Sequence, residues 1–420
     1  MPLPNLLASR RGRIAAFFLM YLTEGLPIGF ATTAVATQLR RQGVDTAQIG
    51  AFLGLVLLPW AFKWAYGPLV DLVGSRCRWI LAAQLMMVLT LLALTGLTLP
   101  AQLGLFTALL VVHNLFGAVQ DVAVDALAVT TLNEDERAFA SGMMFGGQSL
   151  GVLMGGGGAL LLSGRIGFRP VIAMLAAVIL AVMVLAVLPM REPAGTAPGR
   201  GRVALAEVGR QTLAFLRTAL RALLGSRQAV ASLLFGLMPI AAMALSLALQ
   251  ANLAVDLGLG NDDIGWLGAA SQATTALTCI LGGLLSDRVD RRGALAVYVV
   301  LLSLPGLYLM TELQRHGWAP GRIAPPALIA AFWIAALAYH LLFGFIYGAR
   351  AALFIDLTQP AVAATQFAAY MALTNLSIAY SAVWQGFAVK HWGYATTLGL
   401  DALAGLVCLA FLPLLRANKR

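Results

Sequence analysis

Charge is what this chain has least of. Only 11% of its 420 residues are Asp, Glu, Lys or Arg, under half the share of ordinary soluble domains, about 25%. With 60% hydrophobic residues and a mean hydropathy of +0.84, most of the chain must lie in lipid. Cysteine is scarce: Cys77, Cys279 and Cys408 are isolated, which excludes a disulfide framework and a thiolate metal quartet. The four histidines, at 113, 316, 340 and 391, are scattered over separate segments, so no metal cluster or general-base site gathers at one membrane face. Neither a Walker motif nor a serine triad nor a dinucleotide fingerprint is present. The run Gly155-Gly156-Gly157-Gly158 lacks a following Lys-Ser/Thr and sits inside an apolar segment, where close helix packing explains it. No cofactor and no enzymatic activity are expected; an integral-membrane transferase, and a membrane sensor that binds its ligand without moving it, are the alternatives of other classes.

What is there is a series of apolar runs. Cutting at charged or Pro/Gly/Asn-rich breaks gives twelve spans, roughly 13–36, 48–70, 79–99, 103–130, 138–163, 168–189, 228–254, 263–286, 293–312, 327–350, 364–387 and 393–415, each near the ~20 residues that cross a bilayer core. The net charge of +10 has no need of a nucleic-acid partner, because its placement is topological. With both termini cytosolic, nineteen of the 28 basic residues fall on the cytosolic side and seven on the other: Arg40, Arg41, Arg165, Arg169, Arg315, Arg322 and Lys390. That is the positive-inside asymmetry. The first span is too long for a signal h-region and is retained. A bacterial inner-membrane protein with many spans, surrounded by lipid and acting as a monomer, is expected.

The chain also repeats itself. Gly67-Pro68-Leu69-Val70-Asp71-Leu72-Val73-Gly74-Ser75-Arg76 and Gly283-Leu284-Leu285-Ser286-Asp287-Arg288-Val289-Asp290-Arg291-Arg292 share a G-x-L-x-D-x-V-x-x-R frame at an offset of 216 residues. Phe139-Ala140-Ser141-Gly142-Met143 and Phe367-Ala368-Ala369-Tyr370-Met371 share F-A-x-x-M at an offset of 228. The expected fold is therefore an all-α integral membrane protein of two pseudo-symmetric six-helix bundles, 1–189 and 228–420, joined by a cytosolic linker with an amphipathic helix at 190–227. Duplicated bundles of this kind are transporter architecture, with the site near midplane between the repeats. In each loop the Asp ends one helix and the Arg precedes the next, so Asp71, Arg76, Asp287, Arg288 and Arg292 are gate candidates, through charge-assisted bonds that break when the halves rock.

An ionisable side chain inside a span is expensive and marks function by default. Lys63 is the sharpest case: it lies eight residues before Asp71, ~12 Å along a helix, with Trp60 and Tyr66 on its face, a setting for an anionic or aromatic solute. Snorkelling or a fixed ion pair to a fourth-span acid is the competing reading. Asp121 and Asp125 stand one turn apart on the fourth span, extended by Gln120 into a polar stripe. Asp121 is the candidate partner of Lys63 or a proton carrier; Asp125, nearer the cytosol, is a second proton-coupling candidate, for which a structural bond to the gating loop is the stronger reading. Glu24, beside Gly25 and Pro27, is a third proton-coupling candidate at a kink. Arg350 is a gate-side charge, and Gln120, Gln148, Tyr347, Tyr370, Asn375 and Trp384 are candidates for neutral substrate contacts.

These loops resemble the hallmark loop of the major facilitator superfamily, although Val70, Leu72 and Ser75 depart from it in the first copy. Three further segments, Glu24-Gly25-Leu26-Pro27-Ile28-Gly29-Phe30, Leu58-Pro59-Trp60-Ala61-Phe62-Lys63-Trp64-Ala65-Tyr66-Gly67 and Val119-Gln120-Asp121-Val122-Ala123-Val124-Asp125-Ala126, are similar to the branch holding AmpG-like muropeptide permeases, acetyl-CoA transporters and permeases for pyochelin- and rhizobactin-type siderophores. The resemblance implies a secondary active transporter working by alternating access on a small-molecule substrate, and Glu24, Asp121 and Asp125 lead us to expect coupling to protons. By its length the chain is closer to the siderophore permeases. Import of a ferric chelate is the first expectation and an anhydromuropeptide the alternative.

Overall fold

The computed structural model describes residues 5–72, 74–192, 210, 213, 214, 217, 224–239, 242–286, 290–357 and 363–415. All regular structure among them is helical. α1 runs Arg10–Arg41. α2 is Thr46–Ala61 and α3 Lys63–Leu72, followed by α4 Arg76–Leu94 and α5 Leu103–Thr131. α6 (Glu134–Leu153) continues through a wide turn at Met154–Gly158 into α7 (Ala159–Ile166), and α8 is Phe168–Val182. The second half comprises α9 Arg227–Leu237, α10 Ala248–Asp256, α11 Asn261–Ser286, α12 Arg291–Arg315, α13 Pro326–Asp356 and α14 Ala363–Leu406. Among the described residues nine helices are long and apolar enough to cross a membrane. The span expected at 228–254 is two pieces, α9 and α10. Those expected at 364–387 and 393–415 run as one element that turns at Gly393, whose φ of 78° suits glycine.

Polar caps set where these helices begin. Ser9, Ser75 and Ser226 each accept an N–H of the first turn, and Asn133 and Glu136 form a capping box on α6. The linker expected at 190–227 lies largely outside the described residues, as do Asp287, Arg288 and the last five residues.

Two compact units emerge. The first holds residues up to Ala31 and Phe62–Arg217, the second Thr32–Ala61 and Thr218–Arg420. Besides the boundary at 217–218, the chain passes between them at two faults in its helices. One is the π-helical stretch Phe30–Val35 just after Pro27; the other is Phe62, between α2 and α3. Residues 32–61, which the sequence places with the first bundle, thus pack against elements of the second half.

In the first unit α1 and α6 lie backbone to backbone. A Cβ at Gly147, Gly151 or Gly155 would come within 2.2, 2.1 and 2.1 Å of the carbonyls of Phe18, Leu22 and Leu26. Small residues at four-residue spacing allow that approach, the usual way to gain packing where lipid offers no hydrophobic drive. Phe17, Met20, Ile80, Val124, Leu127 and Met144 form the adjoining core.

Candidate functional site

Lys63 opens α3, right after the fault at Phe62, and its ammonium lies 2.8 Å from Asp121 Oδ2. Both are largely enclosed, at 20% and 4% side-chain exposure, so the pair is a desolvated one. One turn on, Asp125 accepts a short hydrogen bond from the Tyr21 hydroxyl of α1. Glu24, 3% exposed, accepts from Gln148 Nε2 at 2.6 Å through Oε1, while its Oε2 is buried without a partner. The charges of Asp121, Asp125 and Glu24 all act on Lys63, that of Asp121 most and that of Glu24 least. The first unit therefore gathers one ammonium, three carboxylates and one phenol from α1, α3 and α5, with α6 contributing Gln148.

Other expected residues stand elsewhere. Gln120 is fully buried: its amide donates to the Met20 carbonyl at 2.9 Å and to Thr23 at 3.0 Å, because a buried amide in lipid must bond a neighbouring helix. Tyr370 is fully buried against Phe354, ring centroids 5.2 Å apart, so it is core. Asn375 donates to the Trp60 carbonyl at 3.0 Å, and both belong to the second unit, whereas Lys63 and the half-buried Tyr66 belong to the first. Trp384 is half-buried. Arg350, 4% exposed, lies over the Tyr347 ring at 5.3 Å.

The gate candidates fare likewise. Arg76 approaches Glu192 at 3.8 Å, and that carboxylate also accepts the Cys77 N–H at 2.9 Å. Arg292 donates to the Leu415 carbonyl at 3.0 Å. Asp71 ends α3, but its side chain lies outside what is described.

Sequence reading missed Tyr21, Glu192, Asp256, Tyr394 and Asp401. Asp401 alone carried a readable signal, since it is an acid inside the last apolar segment.

The profile of the Major Facilitator Superfamily matches residues 14–250 and 231–420. The chain belongs to the major facilitator superfamily. It is a secondary transporter of that superfamily, crossing the membrane many times. It is 26% identical over 396 residues to the anhydromuropeptide permease of Escherichia coli, a match covering 91% of this chain and 76% of that one. A shorter match, 27% over 159 residues, joins it to a Rickettsia conorii protein named transporter AmpG 4, covering 36% of this chain and 38% of that one. Among solved structures it is similar to a D-xylose-proton symporter, with a TM-score of 0.73 at 12% identity over 95% of this chain and 96% of that one. A POT family transporter in complex with 5-aminolevulinic acid gives 0.72 at 10% identity, over 95% and 94%. At such identities these two superfamily structures speak for the fold alone.

Proposed function

We propose that this transporter carries an anionic muropeptide across the inner membrane together with protons. The observation that supports the substrate is the match to the anhydromuropeptide permease along 91% of the chain. That relative favours a muropeptide over the ferric chelate that length suggested. A muropeptide brings carboxylates, and Lys63 is an enclosed mid-span cation that answers them.

Chemistry suggests the order of events. Lys63 is held by Asp121 at 2.8 Å, so a solute carboxylate competes with a protein carboxylate for one ammonium. A proton on Asp121 removes the competitor and balances the arriving charge, which makes proton and anion natural co-passengers. Glu24 and Asp125 are the neighbouring proton sites, and Gln148 and Tyr66 the candidate neutral contacts of the same unit. We further take 1–189 and 228–420 as homologous bundles with cytoplasmic termini, gated at Asp71, Arg76, Asp287, Arg288, Arg292 and Arg350, the chain acting as a monomer.

The test is uptake by the full chain in proteoliposomes under an imposed proton gradient, with radiolabelled anhydromuropeptide and ferric siderophores in parallel. Muropeptide uptake abolished by a protonophore supports the reading. Uptake of a ferric chelate with none of the muropeptide overturns the substrate, and uptake indifferent to the protonophore overturns the coupling.

A further inference from the structure

Among the described residues, an enclosed cation comes with a protein anion. Arg13, Arg40, Lys63 and Arg76, at 11 to 20% side-chain exposure, face Glu136, Asp256, Asp121 and Glu192. Arg350 of α13 departs from this. It is 4% exposed, and its Nε is buried without a hydrogen-bond partner. The titratable groups that act on its charge are the Tyr347 phenol and the thiols of Cys279 and Cys408, with no carboxylate among the described residues. An arginine cannot shed its proton to ease burial. The Tyr347 ring, 5.3 Å from the guanidinium, offers its negative face, but a ring face does not give a fork of N–H donors the acceptors it is built for.

The face of α13 that carries Arg350 is aromatic. Tyr339, Phe343 and Tyr347 recur every four residues, with successive ring centroids 5.8 and 6.4 Å apart, and Arg350 closes the row, which covers ~16 Å of helix. The whole row belongs to the second unit. Tyr339 is core, fully buried with its hydroxyl on the Ala242 carbonyl at 2.9 Å. His340, beside the row, is occupied by Thr275 at 3.1 Å and Gln250 at 3.2 Å. Phe343 and Tyr347 are half-buried, so part of each ring is left for something else to cover. Aromatic walls with one charged group to fix orientation are how small-molecule sites are composed. The rings take the C–H face of a sugar or another flat ring, and the guanidinium fork matches a carboxylate.

We propose that Arg350, with the rings of Phe343 and Tyr347, is a carboxylate-binding subsite for the transported solute, and that the solute supplies the counter-ion. The acid group it takes is one carried beside a sugar or other flat ring. The inference deepens the muropeptide reading and rests on it for the name of the solute alone. Counted with the gate charges, Arg350 thereby finds its partner in the cargo. A buried charge without its anion is unfavourable in the empty protein, so deleting it should leave the empty protein as stable as before or more so. A structural charge does the reverse, because its partner is then stranded.

The test melts the purified full chain empty, with N-acetylmuramate, and with N-acetylglucosamine, which is the same sugar without the carboxylate. N-acetylmuramate is expected to raise the melting temperature of the parent by about 2 °C or more, and N-acetylglucosamine to leave it unchanged. Empty Arg350→Gln is expected to melt at or above the parent and to lose the shift. Arg350→Lys, which keeps the charge without the fork, and Tyr347→Leu, which keeps the charge without the ring, should each retain only part of it; they carry the comparison if the glutamine variant yields no folded protein. In proteoliposomes Arg350→Gln should raise the KM for anhydromuropeptide roughly tenfold, the loss expected for a charge-assisted hydrogen bond, whereas a charge that serves the gate alone lowers Vmax and spares the N-acetylmuramate shift. An empty Arg350→Gln protein that melts several degrees below the parent overturns the proposal. So does a parent that the two sugars shift equally, or a full shift that survives in the Arg350 variants. A shift that depends on Arg350, in a protein that takes up no muropeptide, sinks the substrate reading and leaves the subsite standing.

Discussion

Arg40 grips Asp256 with both edges of its guanidinium, Nε to Oδ1 at 2.8 Å and Nη2 to Oδ2 at 2.7 Å, and the Tyr394 hydroxyl closes on the same carboxylate at 2.6 Å. Around it, Arg41 donates to the Leu259 carbonyl at 2.7 Å, Lys390 meets Asp45 at 3.2 Å and Thr46 donates to the Gly386 carbonyl at 3.0 Å. A planar fork on a carboxylate is a geometry lysine cannot reproduce. Arg40→Lys is therefore expected to behave nearly like Arg40→Ala, each lowering the melting temperature of the detergent-solubilised protein by about 5 °C. A lysine variant as stable as the parent would show that charge alone suffices.

Breaking the Lys63–Asp121 pair from one side strands a buried charge, at a cost of about 3–5 kcal/mol for enclosed pairs. Lys63→Ala and Asp121→Ala should each reduce stability and uptake sharply. The double variant should recover much of the stability, because nothing charged is left unpaired, yet carry no solute. Thermal unfolding and uptake on the four proteins close the cycle; additive losses of stability would refute the coupling.

Glycine at 151 is set by a carbonyl, not by a turn. A methyl there meets the Leu22 carbonyl at 2.1 Å, whereas one at Gly104 meets nothing within 4 Å. Gly151→Ala should cut the yield of folded protein several-fold, with a loss of ~1–3 kcal/mol expected for overpacking, while Gly104→Ala should leave it unchanged. Fluorescence-detected size exclusion of both variants decides it.

Arg13 donates to both oxygens of Glu136, at 3.0 and 2.6 Å, and with the Asn133 N–H holds that carboxyl below the usual glutamate range. A folded-state value below the unfolded one means stabilisation that is complete above the ordinary value, ~4.3, and is lost as pH falls through the folded one. The difference in melting temperature between the parent and Glu136→Gln should stay constant from about pH 8 to pH 5 and shrink only below about pH 4. A difference that fades between pH 7 and 5 would place another group at this end of α1. Asp45 behaves alike: burial alone would raise its carboxyl, but the Gln48 N–H and Lys390 pull it down.

Sequence pattern was enough for the all-helical membrane class, the superfamily, the duplicated loop and the pairing of Lys63 with Asp121. Hydropathy acts residue by residue and leaves its mark on any window of twenty, and a mid-span lysine must find an anion wherever the fold goes. Tertiary structure alone decided where the polar groups spend their bonds. Gln120 read as a site residue and is tied to α1; Arg40, Arg41 and Lys390 read as stray outer charges, of which Arg40 and Lys390 hold carboxylates and Arg41 a carbonyl. The partners lie 216, 218 and 345 residues away, and no local pattern encodes a contact at such range. The interruption of the seventh segment was hidden for the same reason. Its apolar composition reads as continuous helix, and the break is permitted only because Asp401, which accepts the Met243 and Ala244 N–H groups, and Tyr339 and Tyr380, which donate to the Ala242 and Leu237 carbonyls, arrive from later in the chain and replace the backbone bonds it gives up.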